Sequence, residues 1–193
     1  STVVLTAGHV TDGAVACRIW TDEIVEGNPE YPYSGTTSYD GTPITHPDYA
    51  LGEYPGLVGF LTHDVGIIEL SESVPSSAVD EYAELPTAGL VDTLAIMTDI
   101  DLVGYGVQTQ IRGGGQPVWT GPRVRLYAPA KLLSTKSAIS SQFITCTQNP
   151  AQGKGGTAFG DSGGPALLGG TDTVLAVTSF GTNNNCAGTG YYC

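Results

Sequence analysis

Residues 160–181 read GDSGGPALLGGTDTVLAVTSFG. Two short apolar runs, 166–168 and 174–180, are set between clusters of Gly, Asp, Pro and Thr. Apolar runs of this length, rich in β-branched residues and bounded by turn formers, read as β-strands. The same pattern recurs outward from this stretch, at 3–5, 15–20, 57–61, 65–70, 94–97, 102–107, 124–126 and 143–145. Regularly spaced short strands indicate an all-β barrel or sandwich. Two short helical stretches are expected, at 76–85 and 129–133. Gly- and Pro-rich segments at 28–45 and 112–122 read as long surface loops. If the chain has two halves, the break falls in the polar segment 71–92, where Pro86 interrupts the strand pattern.

The chain has 193 residues, enough for one large domain or two small halves, at roughly 100–200 residues per domain. Its 27 glycines and 12 prolines are a large share of turn formers, and charged residues are only 13%. No apolar run approaches the ~18 residues that span a bilayer. The net charge is −12. Such a surface is repelled by phosphate backbones and by anionic lipid, so neither nucleic acid nor a membrane is an expected partner. The four cysteines, Cys17, Cys146, Cys186 and Cys193, form no C-x-x-C pair and therefore no obvious zinc site. Their even number points to an oxidising compartment and to disulfides whose pairing stays open.

Three segments carry chemistry. Ser162 lies between glycines in Gly160-Asp161-Ser162-Gly163-Gly164-Pro165. Glycine lets a backbone turn approach a substrate closely, and the N–H groups of Gly160 and Ser162 can meet a developing oxyanion. A serine hydroxyl is a poor nucleophile without an adjacent base. His9 ends an apolar strand in Leu5-Thr6-Ala7-Gly8-His9-Val10, and an unperturbed imidazole titrates near ~6.5, suiting base work. Asp64 opens the strand His63-Asp64-Val65-Gly66-Ile67-Ile68-Glu69-Leu70, where a buried carboxylate needs a hydrogen-bonded partner such as an imidazole. Each alone has a plainer explanation: a Gly-rich turn, a structural histidine, an Asx turn. Together their order, His–Asp–Ser, is informative. The α/β-hydrolase elbow Gly-x-Ser-x-Gly requires a histidine after the serine, but His9, His46 and His63 all precede Ser162.

The order and the motifs LTAGHV, HDVGIIEL and GDSGGP resemble those of the chymotrypsin/trypsin-like serine proteases. His46-Pro47-Asp48-Tyr49 resembles the family's His-Pro-x-Tyr loop, and Leu102-Val103-Gly104-Tyr105-Gly106 its strand ending in Gly-aromatic-Gly. Ser179-Phe180-Gly181 resembles its Ser-Trp-Gly strand, with Phe for Trp. The resemblance implies two antiparallel six-stranded β-barrels, the first carrying His9 and Asp64 over residues 1–80 and the second carrying Ser162 and the specificity pocket over 81–193. It implies a secreted serine endopeptidase acting through an acyl-enzyme. Peptide or protein substrates are its partners, and protein inhibitors are further candidates. The sequence itself gives no sign of a metal or organic cofactor; an acidic loop could take calcium, but no ligand pattern such as an EF-hand is present. Ser162 would be the nucleophile, His9 the base and Asp64 the residue orienting it, with Gly160 and Ser162 forming the oxyanion hole. Asp161 would shape that hole. Ser179 would bond near Asp64, and residues 179–181 would pair with the substrate. The pocket floor falls on Gly156, six residues before Ser162, with Gly181 and Gly190 as walls. An uncharged, glycine-walled slot implies cleavage after Phe, Tyr or Leu. A non-catalytic binding protein on the same fold is the alternative reading.

The chain departs from the family's pattern in ways that carry expectations. Val10 and Ala158 stand where the family has cysteines, so Cys186 loses its usual mate and Cys193 becomes a candidate partner for it. The family precedes its histidine with two further strands, whereas His9 is the ninth residue here. The first barrel is therefore expected to be incomplete, with residues missing from the sequence as given at both ends. Ser1 lies too close to His9 to reach Asp161 as the family's amino terminus does.

Overall fold

The computed structural model describes residues 2–50, 61–111, 118–149 and 155–193. Twelve strands and two single-turn helices are formed among them. An open four-stranded antiparallel sheet comes first: β1 (Val3–Thr6), β2 (Cys17–Trp20), β3 (Ser38–Thr45) and β4 (Gly66–Leu70), in the order β1-β4-β3-β2. Helix α1 (Gly8–Thr11) follows β1 directly. A closed six-stranded barrel follows, made of β5 (Asp99–Gly104), β8 (Leu126–Ser134), β9 (Ile144–Gln148), β10 (Pro165–Leu168), β11 (Val174–Gly181) and β12 (Gly188–Tyr192). Strands β6 (Thr109–Ile111) and β7 (Val118–Thr120) form a separate hairpin, and α2 (Leu90–Thr93) precedes the barrel. No described helix is long and apolar enough to cross a membrane.

Period-two patterning builds the barrel. Ile100 and Leu102 of β5, Ala130 and Leu132 of β8, and Ile144 and Cys146 of β9 point inward with Ala166 and Tyr192. Alternate residues of a strand face opposite sides, so these pairs form one core face. A smaller core of Ile68, Leu70 and Val74, packed with Val4, Cys17 and Ile19, backs the first sheet.

Several expectations are corrected. Residues 129–133 are strand, not helix: Ala130 and Leu132 are buried while Pro129 is exposed, a period of two. Pro129 is tolerated because β9 pairs only from Leu132 onward. Residues 76–85 form turns and extended chain, and Glu84 bridges Thr173, donating its N–H to Asp172 C=O and accepting from Val174 N–H. The one turn of helix in this region lies later, in α2. Within the expected loop 28–45, residues 38–45 form β3, whose polar composition hid an alternating burial pattern. Within the expected loop 112–122, residues 118–120 form β7. Residues 94–97 turn rather than extend, with Thr98 N–H bonded to Ala95 C=O. The apolar run 57–61 lies, except for Leu61, outside the described residues.

All four cysteines are free. The expected Cys186–Cys193 pair is not formed, because β12 runs between them. A strand rises about 3.3 Å per residue, which holds the two far beyond the ~4.4–6.8 Å that a disulfide bridges between Cα atoms.

Candidate active site

Register brings the imidazole to the carboxylate. Pairing of β1 with β4 sets Thr6 opposite Gly66, so residues just after Thr6 and just before Gly66 meet at one end of the sheet. Two glycines make room for α1 there. A Cβ on Gly8 would lie 2.9 Å from the Tyr49 ring and 3.1 Å from Val65 N. A Cβ on Gly66 would overlap Thr11. Thr11 Oγ1 in turn bonds Gly8 C=O at 3.0 Å and Thr45 Oγ1 at 2.8 Å, tying α1 to β3.

His9 and Asp64 are joined twice. The His9 N–H donates to Asp64 Oδ1 at 2.7 Å, and His9 Nδ1 lies 2.8 Å from Asp64 Oδ2. An ionised carboxylate only accepts, so the Nδ1 proton faces Asp64 and Nε2 keeps the lone pair. Asp64 is 3% exposed, and its Oδ2 also accepts the Ser179 hydroxyl. Burial pushes this carboxyl up. The bonds from the His9 ring, the Ser179 hydroxyl and the His9 N–H outweigh burial and hold it below the usual carboxylate range.

A clamp that the sequence reading passed over fixes the approach to Asp64. His63 has φ +55, its N–H donates to Gln142 Oε1 at 2.8 Å, and its Nε2 lies 2.8 Å from Gln142 Nε2. The ring stacks on His46 with centroids 5.2 Å apart. No sequence signal pairs residues 79 positions apart.

The second barrel presents Ser162. Pairing of β10 with β11 sets Pro165 opposite Val177, which folds the preceding turn onto Thr178. Gly163 N–H donates to Thr178 C=O and Thr178 N–H to Gly164 C=O, both at 2.8 Å. Gly163 has φ +78, and a Cβ there would overlap Thr6 and lie 2.9 Å from Ala7 N. Ser162 is therefore carried against the segment that leads into His9. It is exposed, and among the described residues no hydrogen bond joins it to His9. The two face adjoining cavities with a shared wall of Ser179 and Phe180. Phe180 is fixed by stacking on Tyr191, centroids 4.6 Å apart, and by an edge contact with Phe143 at 5.4 Å.

The turn before Ser162 has a defined shape. Asp161 N–H donates to Ala158 C=O at 3.1 Å and Gly160 has φ +96, the combination of a type II turn with glycine at its third position. The N–H groups of Gly160 and Ser162 have no partner among the described residues. Asp161 holds the turn: its Oδ1 accepts Gly106 N–H at 2.6 Å and its Oδ2 accepts Ala158 N–H at 2.7 Å. Burial pushes the Asp161 carboxyl up, and these two bonds oppose that without cancelling it. Gly104 and Gly106 leave the space it fills, since a Cβ on either would overlap the carboxylate.

The cavity beside Ser162 measures about 350 Å³ and is lined by Gly160, Ser179, Phe180 and Gly181 among others. Gly156 and Gly190 do not line it; Gly156 faces a neighbouring cavity that Asp161 also lines. All three expected pocket glycines converge on Gln148. Cβ atoms on Gly156, Gly190 and Gly181 would lie 3.0 Å from Gln148 Cβ, 3.0 Å from its Nε2 and 3.6 Å from its Oε1. The space they leave is therefore shared with an amide. The available signal for it was periodicity, because Gln148 follows Ile144 and Cys146 on the inward face of β9.

A closed antiparallel barrel beside an open sheet, with a histidine–carboxylate pair on one and a glycine-flanked serine on the other, defines a chymotrypsin-like fold. The sequence matches the trypsin family over residues 1–193. The chain belongs to that family and is a serine endopeptidase, a hydrolase. Among solved structures it is similar to HL collagenase, with a TM-score of 0.72 and 18% identity over 99% of this chain and 76% of that one. Comparison with curated protein sequences finds no match.

Proposed function

We propose that the protein cleaves peptide bonds through His9, Asp64 and Ser162. Ser162 Oγ attacks the scissile carbonyl while His9 Nε2 takes its proton. The tetrahedral oxyanion is held by the N–H groups of Gly160 and Ser162. Collapse breaks the C–N bond, and the proton on Nε2 passes to the departing amine, leaving an acyl-Ser162 ester. Water, deprotonated by the same nitrogen, then releases the acid and restores the serine. Asp64 keeps its charge throughout and stabilises the imidazolium. The observation that carries this reading is the pair of bonds from His9 to Asp64, which leaves Nε2 as the proton acceptor.

Residues 179–181 extend the substrate as an added strand: the pairing of β10 along β11 ends at Val177, which leaves that edge of the cleft to a peptide. The residue before the cut enters the cavity beside Gly181, and its uncharged lining favours a large apolar or aromatic side chain. In this reading the protein is secreted and meets peptide or protein substrates and protein inhibitors, not nucleic acid or membranes. The chain divides into 1–80, bearing His9 and Asp64, and 81–193, bearing Ser162.

A fluorophosphonate probe tests the mechanism. Ser162 should be labelled, and the label should vanish in His9→Ala. A well-folded sample that takes no label removes the proposal. A Phe substrate should turn over faster than an Arg substrate; the reverse order removes the pocket assignment.

A further inference from the structure

We infer that Gln148 reads the side chain on the amino side of the cut, and that it selects a neutral group ending in an O–H or N–H donor, tyrosine over phenylalanine. This rests on the catalytic reading above and names the substrate class of the same cleft.

The amide is held in one orientation. Gln148 Nε2 donates to Thr157 C=O at 3.0 Å and to Thr157 Oγ1 at 2.7 Å. A carbonyl only accepts, so the nitrogen must face Thr157 and the flipped amide is excluded. Thr157 Oγ1 is itself anchored to the Tyr192 hydroxyl at 3.1 Å. Gln148 is 2% exposed, and with its nitrogen committed its Oε1 is buried and has no partner. Native interiors pair such atoms with protein or water, so an orphan beside a cavity is a place where an entering donor can bond. Oε1 faces the wall formed by Gly181, and Gln148 lines the cavity that holds Ser162. Thr178 Oγ1 is a second buried oxygen without a partner, and Thr178 lines the same cavity.

The chemistry of the entering group follows. A buried, unpartnered acceptor on a residue that lines this cavity requires a donor. A carboxylate would set lone pairs against lone pairs. An ammonium or guanidinium would donate, but it would be buried without a counter-charge, since the nearby Asp161 carboxylate is committed to two backbone N–H groups. A phenol satisfies both conditions. A cavity of roughly 150 Å³ is enough for benzene, so about 350 Å³ admits an aromatic ring with a polar end. Phenylalanine would fill the space but leave Oε1 unmet. A site built to bond a hydroxyl discriminates strongly against the analogue that lacks it.

The test uses the full chain and four peptides that differ only at the residue before the cut: tyrosine, phenylalanine, 4-aminophenylalanine and O-methyltyrosine. The two donors should exceed phenylalanine in kcat/KM by about tenfold or more, and O-methyltyrosine should not. In Gln148→Met the tyrosine-to-phenylalanine ratio should fall to within about twofold of unity. The four-peptide series decides the matter in the unaltered enzyme if that variant does not fold. Phenylalanine turned over as fast as tyrosine, or a tyrosine advantage that persists in Gln148→Met, overturns the inference. Fluorophosphonate labelling separates the two levels: a labelled Ser162 without tyrosine preference removes only this inference, while an unlabelled Ser162 removes the catalytic reading beneath it.

Discussion

Asp64 shows how one residue's chemistry is set by its neighbours. Its carboxyl titrates below the usual range, so the folded state releases the proton more readily than the unfolded chain. The sign follows from linkage: this residue adds stability above the unfolded carboxylate value of about 3.9, and that contribution is lost as pH falls through the lower folded value. Thermal melts of the protein between neutral pH and pH 2 should therefore fall on acidification, and Asp64→Asn should lack part of that fall. Two superimposable pH profiles would show that the carboxylate is not held as described. The same variant sets an amide N–H against His9 Nδ1–H or forces the other tautomer, so kcat should drop by about 10⁴. At this scale the motifs marked His9, Asp64 and Ser162 as candidates, because chemistry restricts the residue type, and the His9–Asp64 contact was legible in the strand ends that carry the two residues. The contacts of Gln148, His63 and Gln142 were not legible. They are made with partners distant in sequence, and glutamine has no restricted use that would mark it in advance.

Between elements, glycines decide how closely the turns approach. Gly163 is the contact between the Ser162 turn and the β1–α1 corner, and it sits at φ +78 against Thr6. Gly163→Ala adds a methyl group where there is no room and where an L-residue is strained. It should lower stability by about 1–3 kcal/mol and move Ser162 away from His9. Denaturant melts and probe-labelling rates measure the two effects, and an alanine variant with unchanged labelling would mean that this contact does not position the nucleophile. Asp161 acts on the other side of the same turn. In Asp161→Asn one oxygen can still accept, but the amide N–H₂ must face either the Gly106 or the Ala158 N–H. The turn that aims the Gly160 N–H should loosen and kcat should fall by about 10²–10³, the usual effect of losing one oxyanion donor. Because burial holds the Asp161 carboxyl above its usual value, the folded state retains the proton longer, and this residue subtracts stability as pH rises through that range. The asparagine variant should therefore lose activity with little loss of stability at neutral pH. Strands were read well where β-branched and apolar residues form a nearly unbroken run, as in β4 and β11. They were misread where proline or polar residues interrupt such a run, as in β8 and β3, because there pairing partners rather than composition hold the chain extended.

The whole molecule is a sheet and a barrel whose shared boundary is the cleft itself. Away from the cleft they are strapped by Val25 N–H to Arg123 C=O and Arg125 N–H to Glu23 C=O, at 2.9 and 2.8 Å, and by the Tyr105 hydroxyl on Asp22 C=O at 2.6 Å. At the cleft the crossing bonds include Ser179 to Asp64 and Gln142 to His63. Motif order revealed this architecture, but it contained no information on which side chains clasp the two parts. Gln142 is the informative clasp to remove, since it lies outside the barrel core and touches no residue proposed to react. Gln142→Ala leaves the His63 N–H without its acceptor and releases the residue adjoining Asp64. A lost hydrogen bond of this kind costs about 1–3 kcal/mol when the group it leaves is buried. The barrel's own core does not depend on it, so the loss should fall on alignment. Labelling of Ser162 should slow severalfold while the midpoint of global unfolding shifts little, and activity should vanish at a lower denaturant concentration than the barrel's tertiary signal. Coincident loss of activity and tertiary signal in Gln142→Ala, as in a single cooperative unit, would show that the straps far from the cleft hold the two parts in register without the clasp.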